Sequence, residues 1–164
     1  MANPNFSVQE VRRLFNYDPS TGVLTNRVER STRTIINGLA GWINGIGYLM
    51  VRVNGRCYLG HRLVWVHAHG KWPDHHIDHI NCIRDDNRIE NLRDVTRSFN
   101  IQNQKRCHVN NKVGLLGVYA LKNGYMSAIH IGNLKKYLGR FSTPQEAHEA
   151  YVKAKRELHP GCTI

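Results

Sequence analysis

The residues best suited to chemistry lie in one stretch, from position 77 to position 100. Asp78 and His79 are neighbours, Asn91 follows His79 by twelve residues, and Asn100 follows Asn91 by nine. Carboxylate and amide oxygens are the ligands that a hard divalent ion such as Mg²⁺ prefers. An imidazole that is close to neutral at pH 7 can accept a proton from water. The four side chains therefore predict a metal site with an activated water beside it.

The order of these residues predicts how the work is divided. Adjacent side chains in a strand point to opposite faces, so Asp78 and His79 would face opposite ways. We expect Asp78 and Asn100 to bind the ion and His79 to act as the general base. Asn91 lies in the connection, where its amide could bridge the backbone and keep His79 in place. One ion beside an activated water is what hydrolysis of a phosphodiester bond needs.

The elements that would position these residues are two strands and a helix. Residues 76–96 predict two short strands joined by a loop over residues 81–91. A helix would follow, capped at Thr96 or Ser98 and ending near Arg106. The loop would then carry Asn91 close to the pair of catalytic candidates.

The sequence on either side predicts two further modules. Ser7 opens a short helix with capping-box spacing, and Asn54-Gly55 joins two alternating strands as a hairpin. Near the other end, three strands precede a helix that Thr143 caps, with Pro144 at its first position. The expected class is α+β. We divide the chain into a β-rich lead-in module, a strand–loop–strand–helix core and a three-stranded antiparallel sheet with a helix, at residues 1–60, 61–110 and 111–164.

Two other segments have structural interpretations. Residues 17–22 are dense in turn formers and predict a turn. Residues 61–69 have apolar side chains at helical spacing, and Gly70 would end that helix. We interpret its histidines as packing or surface residues, at positions 61, 67 and 69.

The chain is strongly basic, with a formal net charge of +11 and a pI of about 9.9. Residues 1–60 hold seven basic and three acidic side chains, and residues 111–164 hold eight and three. Residues 61–110 hold eight basic and six acidic side chains, so the middle segment is nearly balanced in charge. A metal site flanked by phosphate-binding surfaces would have this distribution. The excess predicts a polyanionic partner, most often nucleic acid.

Composition also excludes several classes. No apolar run approaches the length of a bilayer, and the first residues lack the pattern of a secretory signal. We therefore expect no membrane partner and a location in the cytoplasm of a bacterial host cell. The four cysteines have no pair at the spacing of a zinc site, so we expect no structural zinc.

The motif residues resemble a known family. Asp78-His79, Asn91 and Asn100, within DHINCIRDDNRIENLRDVTRSFNIQNQ, look like the HNH nuclease motif in the variant whose last histidine is asparagine. The stretch is similar to the phage and intron-encoded branch. This resemblance implies a ββα-metal (His-Me finger) core, with Asp78 and Asn100 as metal ligands, His79 as the base and Asn91 as support of the loop. An amide at position 100 favours Mg²⁺ or Mn²⁺ over zinc.

The last segment carries a second likeness, in Gly117-Val-Tyr, Tyr125-Met-Ser-Ala-Ile, Tyr137-Leu-Gly-Arg-Phe and Thr143-Pro-Gln-Glu-Ala-His-Glu-Ala-Tyr. These residues resemble the plant Apetala-type (ethylene-response-factor) DNA-binding domain. The resemblance implies a three-stranded sheet in the major groove of double-stranded DNA. The basic side chains that we expect to contact DNA are Arg93, Arg97, Lys122, Lys135, Lys136 and Arg140.

Together these features predict a metal-dependent DNA endonuclease, phage-borne or of the mobile-element homing type. In-line attack by water would leave 5′-phosphate and 3′-hydroxyl ends. A single site cuts one strand, so a monomer would nick and a homodimer could break both strands. Two alternatives stay open at this point: a catalytically inactive DNA-binding regulator, and a structure-specific or RNA nuclease.

Overall fold

The computed structural model describes residues 6–103, 107, 110–132, 134–160 and 162. Over these residues the chain forms ten strands, four α-helices and one 3₁₀ turn, arranged in four small sheets. The predicted α+β class is confirmed. No helix in the described part of the chain is long and apolar enough to cross a membrane. The chain divides into two compact units, Met1–Val95 and Thr96–Ile164.

The first unit contains three antiparallel sheets and two helices. β1 pairs with β2, β4 lies between β3 and β5, and β6 pairs with β7. The elements are α1 (Val8–Leu14), β1 (Phe15–Asp18), β2 (Val23–Asn26), β3 (Trp42–Ile43), β4 (Leu49–Val53), β5 (Arg56–Leu59), α2 (Gly60–His69), β6 (His76–His79), a 3₁₀ turn (Ile89–Asn91) and β7 (Leu92–Val95).

Local signals determine where several of these elements begin and end. The Ser7 hydroxyl accepts from the N–H of Glu10, and the Glu10 carboxylate accepts from the N–H of Ser7, as the capping box predicted. Asn54 and Gly55 both have positive φ, 50° and 76°, which is the conformation that a two-residue hairpin needs. Gly70 ends α2 with a φ of 68°.

The predicted turn over residues 17–22 is shorter in the structure. Its first two residues belong to β1, and the turn begins only after Asp18. The Asp18 carboxylate accepts hydrogen bonds from the backbone and hydroxyl of Ser20 and from the hydroxyl of Thr21. This side chain closes the turn locally, which leaves Tyr17 free to pair in the sheet.

One hydrophobic core joins the lead-in strands to the central hairpin. Helix α2 contributes Leu63, Val64 and Val66, which are fully buried. They belong to the same core as Ile77 of β6 and Leu92 of β7. The cluster as a whole comprises Phe6, Val11, Leu14, Phe15, Leu24, Ala40, Val51, Val53, Leu63, Val64, Val66, Ile77 and Leu92.

The second unit is a helix, a three-stranded antiparallel sheet in the order β10–β9–β8, and a long helix. Thr143 caps the long helix through a capping box with Glu146, as predicted. The first helix ends at Gln102 rather than near Arg106, which itself lies outside the described residues. The elements are α3 (Arg97–Gln102), β8 (Val118–Leu121), β9 (Gly124–Ile131), β10 (Leu134–Phe141) and α4 (Pro144–Leu158). The division into three modules at residues 60 and 110 stays a prediction.

Candidate active site

The antiparallel pair β6 and β7 carries the two main candidates. Asp78 lies opposite Arg93, and His79 lies opposite Leu92. Ile77 and Leu92 are buried in the core and hold this register, because a slip by one residue would turn both to the other face. His79 therefore faces the core side of the ribbon and Asp78 faces the other side, as the alternation predicted.

The start of β6 is held by a carboxylate from β7. Asp94 accepts hydrogen bonds from the backbone N–H groups of Asp74 at 2.7 Å and His75 at 2.9 Å. The Arg62 guanidinium donates to the carbonyl of His75 at 3.0 Å. These bonds fix the segment that leads into Asp78, so the strand enters the site in one orientation.

Asp78 makes a charged pair across the ribbon. Arg93 donates from Nε and Nη2 to the same oxygen, Oδ2, at 2.9 and 2.8 Å. Asp78 is 8% exposed. A charged hydrogen bond to a side chain with this little water around it is stronger than one at an open surface. Arg93, predicted to contact phosphate, is therefore engaged with the predicted metal ligand in this structure.

His79 is 4% exposed and sits among three side chains from different parts of the first unit. Its Nε2 lies 3.2 Å from Oδ1 of Asn87. Its ring centroid lies 5.1 Å from that of His61 and 5.9 Å from that of Tyr48. The oxygen of Asn87 can only accept, so Nε2 of His79 carries the proton and Nδ1 holds the lone pair.

Burial favours the neutral form of both histidines. Desolvation lowers the pKa of His79, although the bond to Asn87 and the nearby carboxylate of Asp78 act in the opposite direction. Burial lowers the pKa of His61 to about 3, assisted by His79 and Arg62. A neutral His79 is the form that can accept a proton, so the surroundings favour the protonation state that a general base needs.

Asn91 bridges the loop between the strands. Its Oδ1 accepts from the backbone N–H of Asn81 at 3.0 Å, and its Nδ2 donates to the carbonyl of Asp86 at 2.8 Å. The Asp86 carboxylate accepts from Asn81 Nδ2 at 2.7 Å and from Arg88. The bond from Arg88 holds the pKa of Asp86 far below its usual value. The loop is thus closed by hydrogen bonds from its own side chains. The catalytic role of Asn91 stays a prediction.

The β1–β2 hairpin packs against the outside of this loop. The Tyr17 hydroxyl donates to the carbonyl of Asn87 at 3.0 Å. Burial raises the pKa of Tyr17 to about 12, so this donor is present throughout the ordinary pH range. A Cβ added to Gly22 would lie 2.5 Å from the backbone nitrogen of Arg88 and 2.7 Å from the carbonyl carbon of Asn87. The β1–β2 hairpin therefore supports Asn87, the loop residue that contacts His79.

Asn100 and Arg97 belong to the second unit. Both lie on α3, where Asn100 is partly buried and donates its backbone N–H to the carbonyl of Thr96 at 3.0 Å. Arg97 is exposed at the first position of the helix. Asp78 and Asn100 lie in different units, so their joint binding of one ion stays a prediction.

The basic residues of the second unit are not equivalent. Lys135 lies opposite His130, and Lys136 lies opposite the buried Ile129, so the two lysines are on opposite faces of the sheet. The Lys135 ammonium stands 4.3 Å from the ring centroid of Tyr119. Two others lie nearer the β8–β9 turn: Lys122 is exposed in it, and Arg140 donates two bonds to the carbonyl of Asn123.

The oxygen donors of the site suit a hard divalent ion, but Arg93 competes with such an ion for the carboxylate of Asp78. No group of three or more His, Cys, Asp or Glu among the described residues could hold a metal. Mg²⁺ keeps most of its water and needs only one or two protein oxygens, so such a cluster is not required. Asp78 offers a suitable carboxylate, and the guanidinium of Arg93 already binds one of its oxygens.

Comparison with known protein families gives a match to part of the chain. Residues 58–102 match the family model described as HNH endonuclease. This stretch runs from β5 to α3 and includes Asp78, His79, Asn91 and Asn100. The match indicates a nuclease, a hydrolase that acts on nucleic acid and whose family generally uses a divalent metal. No curated protein and no solved structure matched the chain.

Sequence reasoning missed several residues of the site. Asn87 contacts His79 from the loop, and Tyr48 and His61 pack on its ring, yet none was predicted to take part. His61 was interpreted as a packing or surface residue, and it is buried. Asn87 lies in the run DDNR, which gives no chemical signal by itself. The contacts of Tyr48 depend on tertiary packing that no local pattern encodes.

Proposed function

We propose that this chain is a metal-dependent DNA endonuclease of the HNH type, phage-borne or of the mobile-element homing kind. It would act in the cytoplasm of a bacterial host, as a monomer or a homodimer. The observation that carries the proposal is the setting of His79. Within the stretch similar to HNH endonucleases, His79 is a buried imidazole whose Nε2 lies 3.2 Å from Oδ1 of Asn87, one residue from a carboxylate on the opposite face.

The proposed chemistry assigns a separate task to each side chain. His79 accepts a proton from water at Nδ1, because the bond to Asn87 keeps the other ring nitrogen protonated. Asn91 maintains the loop that presents Asn87. Asp78 and Asn100 would hold one Mg²⁺ or Mn²⁺ ion in a ββα-metal core. Such an ion supplies charge stabilisation for the phosphate and the departing 3′ oxygen when it is bound.

The basic flanks support a DNA substrate. The chain carries 23 basic and 12 acidic side chains, and most of the excess lies outside residues 61–110. On one face of the β8–β10 sheet, Lys135 packs over Tyr119, which combines a cation with an aromatic surface. We propose that this face contacts the duplex, in the manner implied by the Apetala-type resemblance. Contacts with DNA phosphates would supply most of the binding affinity. They would also position the β6–β7 strand pair on the DNA backbone.

A plasmid-nicking assay tests the proposal. Supercoiled plasmid is incubated with the full chain and Mg²⁺ or Mn²⁺, with and without EDTA. We expect relaxed product only with metal, and a rate that falls by about 10²–10⁴ in His79→Ala because the general base is lost. His76→Ala is the matched control, since His76 is an exposed histidine on the same strand and its loss should leave the rate unchanged.

Three results would point elsewhere. Wild-type protein that binds plasmid but never nicks it would make the chain a DNA-binding regulator without nuclease activity. Cleavage of RNA or branched DNA in preference to duplex would make it a nuclease of another substrate class. Equal rates for wild type and His79→Ala, with both proteins folded, would remove His79 from the mechanism.

A further inference from the structure

Arg93 binds the carboxylate that the proposed metal would need. Both of its donated bonds end on Oδ2 of Asp78, and the two residues are direct partners across the β6–β7 ribbon. Strand register places the two side chains opposite each other, so little side-chain freedom is lost when the pair forms. A cation that binds Asp78 therefore shares the carboxylate with the guanidinium of Arg93 or displaces it.

The Asp78–Arg93 pair differs from an ordinary surface salt bridge. Its side chains are 10% and 23% exposed, and the bond length is 2.8 Å. The exposed pair Lys71–Asp74 has side chains 65% and 71% exposed at 3.5 Å. Pairs of the second kind contribute little, whereas a sheltered pair holds each charge in place because neither can easily be left alone. Arg93 therefore competes effectively with a metal ion for the carboxylate of Asp78.

We propose that Arg93 is an exchangeable counterion, which neutralises Asp78 in the free protein and transfers to a substrate phosphate when Asp78 binds the metal. This inference rests on the proposed function. Without nucleic acid, an ion bound at Asp78 places a second cation beside the guanidinium, and the two cations then share one carboxylate. With nucleic acid present, a phosphate supplies a second anion. Binding of metal and of substrate would then favour each other, as linkage requires.

The exchange reconciles two properties of the residue. Arg93 was predicted to contact phosphate, and the structure of the free chain engages it with Asp78. A planar guanidinium can form paired hydrogen bonds with a carboxylate or with a phosphate, so one side chain can serve both partners in turn. The free protein would bind metal weakly and would not hold a loaded ion far from its substrate.

Direct metal binding tests the inference without relying on cleavage. Mn²⁺ binding to the full-length chain is titrated in the absence of nucleic acid, with free Mn²⁺ measured by electron paramagnetic resonance. We expect Arg93→Gln to bind Mn²⁺ about tenfold more tightly than wild type, which corresponds to about 1.4 kcal/mol. Arg93→Lys keeps the charge without the paired geometry and should fall between the two. Arg56→Gln, which removes an exposed arginine of the same unit, should leave the affinity unchanged.

The remaining variants separate the possible failures. Asp78→Asn should abolish the Mn²⁺ site, and if its affinity equals that of wild type, both the metal assignment in the proposed function and this inference fail. If Asp78→Asn loses the site while folded Arg93→Gln binds no more tightly than wild type, only the role of Arg93 is overturned. Circular dichroism and urea midpoints establish that each variant is folded. In nicking assays Arg93→Gln should be slower than wild type despite its tighter metal binding, because the phosphate contact is lost.

Discussion

Replacing Gly22 by alanine should disturb the active-site loop from outside. Gly22 has a φ of 76°, a conformation that costs an L-residue about 1 kcal/mol or more. Its new Cβ would also lie 2.5 Å from the backbone nitrogen of Arg88. Backbone cannot rotate away as a side chain can, so the loop or the hairpin must shift, at a cost of roughly 1–3 kcal/mol. The expected total loss of unfolding free energy is about 2–4 kcal/mol.

A matched glycine separates the two contributions. Gly55 has the same φ of 76°, and a Cβ there would meet no atom within 4 Å. Gly55→Ala should therefore lose only about 1 kcal/mol, measured by urea unfolding. Nicking provides the second readout. Because the displaced backbone carries Asn87, and misplacement by about 1 Å can cost on the order of 100-fold, Gly22→Ala should be far slower than Gly55→Ala.

Equal behaviour of the two variants would refute the reasoning. If Gly22→Ala and Gly55→Ala lose the same stability and the same activity, the β1–β2 hairpin does not support the loop. If Gly22→Ala loses stability but keeps the full nicking rate under conditions where it is folded, the contact is structural and does not position His79. The nicking rates should be compared under conditions in which both variants are fully folded.

Two further predictions concern pH and salt. The pKa of His61 is about 3 in the folded chain and 6.5 in an ordinary environment, so the unfolded chain binds a proton that the folded chain does not. Stability should fall as the pH drops below 6.5, by about 2 kcal/mol at pH 5 from this group, and urea unfolding of His61→Gln should lack that part of the loss. Duplex affinity should fall steeply between 50 and 200 mM salt, by about 10³ if roughly six phosphates are contacted. Lys135→Ala should reduce the salt slope by about one, while Lys136→Ala, on the other face of the sheet, should not, and identical slopes would contradict the proposed face.

Elements with strong local signals could be predicted from the sequence. The helix that Thr143 caps has a capping box and a proline at its first position, and it begins at the predicted residue. The Asn54-Gly55 hairpin forms because both residues tolerate positive φ. In each case the information lies within a few adjacent residues, so no knowledge of the rest of the fold was needed.

Elements that depend on distant partners were harder to predict. Strand β3 is only two residues long, Trp42–Ile43, and exists because β4 offers it an edge. The turn formers around Asp18 predict a turn from residue 17, where the second half of strand β1 in fact pairs with β2. Short strands of this kind have too few residues for a period to be detected, so only the neighbouring strand specifies them.

The same distinction applies to the site. The alternation of Asp78 and His79 followed from the strand alone, and the structure has it. The partner of Asp78 did not, because it depends on which residue of β7 lies opposite. Arg93 was one of several arginines near the loop, and nothing in its own neighbours indicated a carboxylate rather than a phosphate. Cross-strand register is set by the turn and the buried face together, which is tertiary information.

The setting of His79 extends beyond the stretch that resembles HNH endonucleases. That stretch begins at residue 58, and it contains His61 and Asn87. Tyr48, which packs on the ring of His79, and Tyr17, which holds the carbonyl of Asn87, both precede it. In the proposed mechanism the motif supplies the reacting groups, and residues that precede it supply part of the support that fixes their orientation. Since a general base works only within hydrogen-bond reach of its proton, the functional unit must include the lead-in strands as well as the motif.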